Sequence, residues 1–426
     1  MSPTPRVQVL GPFRQRSFRF QWPADLATSW AFEMETLILG WYVLTETGSV
    51  VWLTSFAALQ FGGTLISPMF GVVGDRLGHR RLLVGMRAIY AALAAVMATL
   101  ALTGTLGIAA VFALALLSGL VRPSDIGMRN ALIGATMPAP YLTGAMGIER
   151  TSADTARIVG ALTGTALVAW LGVGHAYLVV VGLYATSLLL MLGVEDARPS
   201  RAAAGGQPIG SVWFDLKDGV SYVRGTPPLL AAMCLAFFAN LVAYPLTGGL
   251  LPHVARDVYG LDQTGLGRLA ASFATGALLG SIFLGARGGQ LYAARTMLAA
   301  ALAWFALLLA FAVVRSPVAG MAILFLIGTV QSFCMVPMSV LLMRVSRPGF
   351  RGRVMGLRML AVYGLPLGLL ASGPLVAWIG FAGTVALYAG SGLLVTLAIA
   401  LGWRDHLWPK DAPANARHSH TDGQPR

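Results

Sequence analysis

Charge is what this chain of 426 residues has least of: Asp, Glu, Lys and Arg make up 11% of it. A soluble domain devotes about 25% of its residues to those four types. A chain of this length cannot cover a water-facing surface with so few. Acids are the scarcer sign, 17 against 30 Lys and Arg, which leaves a net charge of +13. Two cysteines occur, Cys234 and Cys334, far apart and each inside an apolar run. That excludes a disulfide framework and a paired-cysteine metal site. No phosphate-cradling glycine loop, Ser-His-Asp arrangement or zinc-ligand spacing is present. Nothing therefore supports an enzyme or an ATP-driven pump, and no cofactor is expected. The tail "HSHTDGQPR" offers histidines, but a solvated tail explains them.

What is abundant is apolar: 56% of residues are hydrophobic and Gly numbers 51, which suits helices packed closely in lipid through small residues. A membrane helix needs roughly 20 apolar residues. Runs of that kind fall at 25–45, 50–73, 82–103, 107–127, 151–171, 174–194, 228–252, 264–285, 294–314, 317–343, 354–378 and 381–403. The pattern predicts an all-α polytopic membrane protein of twelve transmembrane helices in two six-helix halves, 25–194 and 228–403. The first run lacks a small-residue cleavage site and follows a basic segment, 1–24, so it reads as an uncleaved span. A linker, 195–227, divides the halves. Its "VEDARPSRAAAGGQP" reads as flexible, and its "FDLKDGVSYVRGTPP" as a short amphipathic helix lying on the membrane through Trp213, Phe214, Leu216, Val220 and Tyr222. A tail, 404–426, closes the chain.

The arginines alternate between loops. Those before the first span, in loops 2–3, 4–5, 8–9 and 10–11, in the linker and after the last span are basic, while the others are poor in Lys and Arg, with Arg256 and Arg315 as exceptions. The positive-inside rule then places the basic loops and both termini in the cytoplasm, and the protein in the cytoplasmic (inner) membrane. The same spread argues against nucleic acid as a partner, because the positive charge is not gathered into one groove.

Between spans two and three stands "GVVGDRLGHRRLL". Gly71, Asp75, Arg76, Gly78, Arg80 and Arg81 match the loop signature of the major facilitator superfamily, with His79 in a usually basic place. The chain resembles that family, and "FRFQW", "TETGS" at 45–49 and "RGRVMGL" at 351–357 resemble its exporter branch of siderophore and macrolide efflux proteins. The resemblance implies two halves that rock about a central cavity. It implies that the loop is a conformational latch. Asp75 would cap the start of the eleventh span, "GRVMG", and the loop arginines would pair with an acid at the end of span four, for which Asp125 is the candidate. Two departures stand out. The Gly-Pro pair of many proton antiporters is replaced in span five by "RIVGALTG", and the second-half loop "GARGGQLYAAR" lacks the Asp.

Charged residues at membrane depth are expensive and are functional suspects by default. Span one carries Asp25, Glu33 and Glu35. With Asp25 at zero, Thr28, Ser29, Phe32, Thr36 and Gly40 fall within about 60° of it on a helix, with Glu33 near +80° and Glu35 near −80°. The wheel gives span one a wet face with a glutamate at each edge. Asp25 also reads as an interfacial residue, and one of the glutamates as a structural ion-pair partner. Asn240 and Tyr244 on span seven and Gln331 on span ten are further cavity candidates, or else hold neighbouring helices together. Arg157 reads as lying near the cytoplasmic end beside Asp154. Two acids with no evident mid-membrane base favour a neutral or cationic, largely apolar cargo. Desolvation disfavours a carboxylate's charge, so Glu33 or Glu35 is suited to exchange protons for cargo. The expected partners are a small molecule, protons and lipid. The expected activity is proton-coupled export, with import or facilitated passage of a metabolite as the alternative and a transporter-like sensor as a third.

Overall fold

The computed structural model describes residues 10–66, 70, 73–74, 77–195, 209–286, 292–347 and 350–403, with backbone alone at 65–66, 209–216 and 351–352. Gly71, Asp75, Arg76, Pro68 and the tail after 403 lie outside the described residues. The described chain is helical, without strands. Eight helices are long and apolar enough to cross a membrane, and two of these, Ala139–Leu192 and Arg353–Gly402, run through a non-helical glycine. The spans are α1 (Arg16–Thr47), α2 (from Val50), α3 (His79–Leu102), α4 (Ile108–Thr136) and α5 and α6, the two parts of Ala139–Leu192 on either side of Gly172. They continue as α7 (from Pro227), α8 (Gln263–Ala286), α9 (Ala293–Val313) and α10 (Pro317–Val345), then α11 (from Arg351) and α12, which part at Gly380. Among the described residues these make twelve spans in an all-α membrane fold.

The two breaks repeat one another. "LVAWLG" ends α5 and "LVAWIG" ends α11, each closing on a glycine at φ 78° or 75°. That left-handed conformation carries no steric penalty for glycine, which has no Cβ. The turns leave Trp170 and Trp378 84% and 83% exposed. Indole rings collect at the membrane–water interface, so these two mark one membrane face. In single-tryptophan variants, a bromine placed shallowly in the lipid chain should quench either indole more than a deep one. Stronger deep quenching would misplace that face.

Two departures concern the ends of elements. The first helix begins at Arg16, well before the apolar run at 25, because "SFRFQWP" buries Phe18 and Gln21 against its neighbours. The linker forms a helix, Ile209–Arg224, as expected. Two of its described side chains meet protein: the Tyr222 ring stacks 4.3 Å from Phe350, its hydroxyl accepts from Arg347 N at 3.1 Å, and Asp218 lies 3.8 Å from Arg353. The side chains of Trp213, Phe214 and Leu216 lie outside the described ones.

Small residues set helix spacing. A β-carbon at Gly164 would stand 2.9 Å from Met34 Cα, and one at Gly160 would stand 3.0 Å from Trp30 O, so the "GALTG" stripe brings α5 against α1. α7 is irregular, with π-helical turns at Ala239–Ala243, Pro245–Gly249 and Val254–Val258. Such turns re-aim side chains and recur at functional sites.

Candidate functional site

A cavity of about 580 Å³ lies between the halves, lined from α1, α2, α4, α5, α7, α8, α10 and α11. Its wall on α1 is Ser29, Phe32, Glu33, Thr36, Leu37 and Gly40. These positions centre about 50° round the helix from Asp25, toward Glu33. The wet face is therefore rotated from the one expected. Glu33 lies inside it, whereas Glu35 lies about 130° from its centre by the same period.

Glu33 Oε1 accepts from Arg157 Nε at 3.1 Å, and Arg157 also reaches Asp154 at 3.7 Å. Arg157 is thus a cavity base, not only a neighbour of Asp154. Thr36 Oγ1 donates to Gln60 Oε1 at 3.0 Å and accepts from Arg122 Nη1, also at 3.0 Å. Arg122 Nη1 donates to Gln60 Oε1 at 2.5 Å and Nη2 to Phe32 O at 3.2 Å, and the guanidinium sits 4.3 Å over the Phe32 ring. Among the described residues, no carboxylate lies within 4.0 Å of Arg122. Among the described lining residues the opposite wall has none that is charged, although Arg358 on α11 lies within electrostatic reach of Tyr244 and Arg150. On that wall Gln331 Nε2 donates to Tyr244 OH at 2.7 Å, beside Thr247, Phe273 and Leu369.

One end of the cavity is a mouth and the other a floor. Ile126, Met146 and Arg150 are exposed at the end that bears the arginine-rich loops, whereas Leu53, Thr247 and Leu251 are buried. The halves meet at the floor end. Arg256 Nη1 donates to Leu44 O, the last turn of α1, at 2.6 Å. Pro252 abuts Gly40, and α11 approaches α2 so closely that a β-carbon at Gly373 would stand 2.9 Å from Val51 Cα. Arg256, an exception to the loop-charge rule, is explained by this contact.

The other expected residues lie elsewhere. Asp25 is neither interfacial nor cavity-lining: it is buried, 2.7 Å from Arg87 Nη2 and 3.4 Å from Arg129 Nε, and accepts from Gln21. Asp125 pairs with that same Arg87 and, at 2.5 Å, with Arg129. Arg80 Nη2 donates to Leu192 O at 2.7 Å. Gly78 takes φ 91° before α3. Asn240 donates to Ala236 O within its own helix and does not line the cavity. Glu35 faces α6, where it accepts from Tyr184 OH at 3.0 Å and Tyr177 OH at 3.4 Å, with no cation within 4.0 Å among the described residues.

The expectation of no mid-membrane base is overturned. Arg87, Arg122, Arg129 and Arg157 all project into the first half. Glu149 was missed as well: it lines the cavity, lies 3.7 Å from Arg129 Nη1, and its Oε2 is buried without a partner. The available signal was the spacing "RPSDIGMR", which sets Arg122, Asp125 and Arg129 about one turn apart on successive turns of α4.

Comparison with known proteins fits this geometry. The family model described as Major Facilitator Superfamily matches residues 26–357 and 233–425. The chain belongs to the major facilitator superfamily. Like the families and structures it resembles, it is a transporter and not an enzyme. No curated relative matches it in sequence. The nucleoside transporter NupG is similar in structure at 15% identity and TM-score 0.70, covering 92% of this chain and 100% of that one. The human organic anion transporter MFSD10 (TETRAN) is similar at 18% identity and TM-score 0.61, covering 93% and 100%. A bacterial homolog of the human lysosomal transporter Spinster, inward-facing and unoccupied, follows at 14% identity and TM-score 0.66, covering 91% and 92%. At these identities the likeness concerns the fold alone.

Proposed function

We propose that this superfamily member exports a small, largely apolar cation from the cytoplasm in exchange for protons. The observation that carries the reading is a charge count in the first half. Six carboxyl groups gather there, those of Asp25, Glu33, Glu35, Asp125, Glu149 and Asp154, against five guanidiniums, those of Arg87, Arg122, Arg129, Arg150 and Arg157. Within the first half one negative charge is left over; Arg358 of the second half lies within electrostatic reach of Arg150 and Tyr244. At membrane depth an uncompensated charge is costly, so either a proton or a monocation should complete the set before the halves rock. Two ligands that neutralise the same charge exclude one another, which is what antiport requires.

Glu35 is the group we assign to the proton, because hydroxyls and no cation hold it. Glu33 is the group we assign to the cargo, because it lines the cavity. An ammonium beside Glu33 would disfavour a proton on Glu35 through the field across the helix. A mouth at the arginine-rich end, which the positive-inside rule makes cytoplasmic, would admit cargo from within. The resemblance of "FRFQW", "TETGS" and "RGRVMGL" to exporters supports the direction.

The test is proton flux driven by a lipophilic cation in proteoliposomes loaded with a pH dye. Glu35→Gln should abolish the proton signal while leaving cargo exchange intact. Glu33→Gln should weaken cargo affinity. Full coupled transport in both single variants and in the double variant would overturn the assignment. Proton and cargo moving the same way would make the protein an importer.

A further inference from the structure

We propose that Tyr244 and Gln331 form a reading pair for an amide-type group on the cargo, one that offers a hydrogen-bond donor beside an acceptor. The inference rests on the cation-exporter reading above and adds a second chemical feature to the same cargo. Apart from Thr247, whose hydroxyl bonds its own helix backbone, the wall opposite Glu33 and Arg157 is otherwise aliphatic and aromatic, so Tyr244 and Gln331 supply its polar functional groups. Their 2.7 Å hydrogen bond holds them as a unit. The Tyr244 ring is fixed edge-on to Trp304, with centroids 5.5 Å apart, and Trp304 is fully buried. The π-helical turns on either side of Tyr244 fix where its hydroxyl emerges.

What the pair presents follows from its valences. With Gln331 Nε2 donating to Tyr244 OH, the tyrosine proton and the glutamine carbonyl remain free. If the amide is turned over, the tyrosine donates to the carbonyl instead. The glutamine NH₂ and a tyrosine lone pair then remain free. In either state one donor and one acceptor face the cavity side by side. A carbonyl next to an N–H satisfies both. An ester carbonyl satisfies the donor alone and leaves an acceptor facing apolar cargo. Sites built to hydrogen-bond a group reject the analogue that lacks it, because their own polar atoms are left without partners.

The test uses two matched monocations, procainamide and procaine, which differ in an amide N–H against an ester oxygen. A third probe is the procainamide analogue in which a carbon replaces the amine nitrogen. Binding to purified protein in nanodiscs is measured by displacement of labelled procainamide. Procainamide should bind about tenfold tighter than procaine, the value of roughly one hydrogen bond and its stranded partner. Gln331→Leu should bring that ratio close to one, and Tyr244→Phe should weaken both cations by removing the donor that their carbonyls share. Thermal unfolding of each variant in the same nanodiscs, unchanged from the wild type, shows that the variants are folded. Equal affinity of the two cations in the wild type, a ratio that survives Gln331→Leu, or no binding of either cation overturns the inference. The uncharged analogue separates the two readings: if it binds as well as procainamide and keeps its dependence on Tyr244 and Gln331, the reading pair stands and the cation requirement falls.

Discussion

Replacing Arg87 by methionine is expected to cost about 3–5 kcal/mol of stability, the scale for removing one partner from a buried ion network. Arg87 is fully buried on α3 and bridges Asp25 on α1 to Asp125 on α4. Arg129 shares both carboxylates and reaches Glu149 on α5, so one network ties four helices of the first half. Without Arg87, two carboxylates share one guanidinium at membrane depth. The cost is mainly that of the stranded charge, so adding Asp25→Asn to Arg87→Met should recover part of the loss. Unfolding of the purified protein in mixed micelles checks both. A loss below about 1 kcal/mol would mean that water reaches the network and screens it as it screens a surface pair.

The second large effect concerns the floor of the cavity. Gly373→Leu should force α11 and α2 apart where they are now in backbone contact. Overpacking of this kind costs about 1–3 kcal/mol. The cost falls only on the state in which these helices touch, so the balance should shift roughly 5- to 150-fold toward a state opened at that end. Spin labels at Glu46→Cys and Asp257→Cys, both exposed near the Arg256–Leu44 contact, should report a longer separation and little cargo movement. An unchanged distance with normal transport would mean that the floor does not part during the cycle.

Most of the architecture was legible in the sequence because lipid imposes a length and an apolar composition on each helix. The expected ends of spans five and eleven, at 171 and 378, fall beside the breaks at Gly172 and Gly380. Tyr244, Gln331, Glu33 and Thr36 were legible as polar residues on otherwise apolar helices, and they do line the cavity. What one helix could not disclose is which neighbour its charge meets. Asp25 served as the centre of the wet face, but Arg87 and Arg129 draw it into the protein, which turns Glu35 toward α6. Arg122, Arg129 and Arg157 read as charges near the cytoplasmic ends of spans four and five, although Arg122 and Arg157 stand inside the runs 107–127 and 151–171. Their depth became plain only when α1, α4 and α5 were set side by side. Asn240 failed for a related reason: its amide is satisfied by Ala236 O along a helix that loosens into π turns.

Alternating access at this cavity is the central claim, and site-specific labelling tests it most directly. In a background with Cys234 and Cys334 replaced by serine, cysteine is placed at Ile126 in the mouth or at Leu53 in the floor. A membrane-impermeant maleimide is then applied to right-side-out and inverted vesicles. Ile126→Cys should react only from the cytoplasmic face and Leu53→Cys only from the opposite face, with a pH gradient speeding one reaction as it slows the other. Labelling of both sites from one face, or rates that ignore the gradient, would contradict the account.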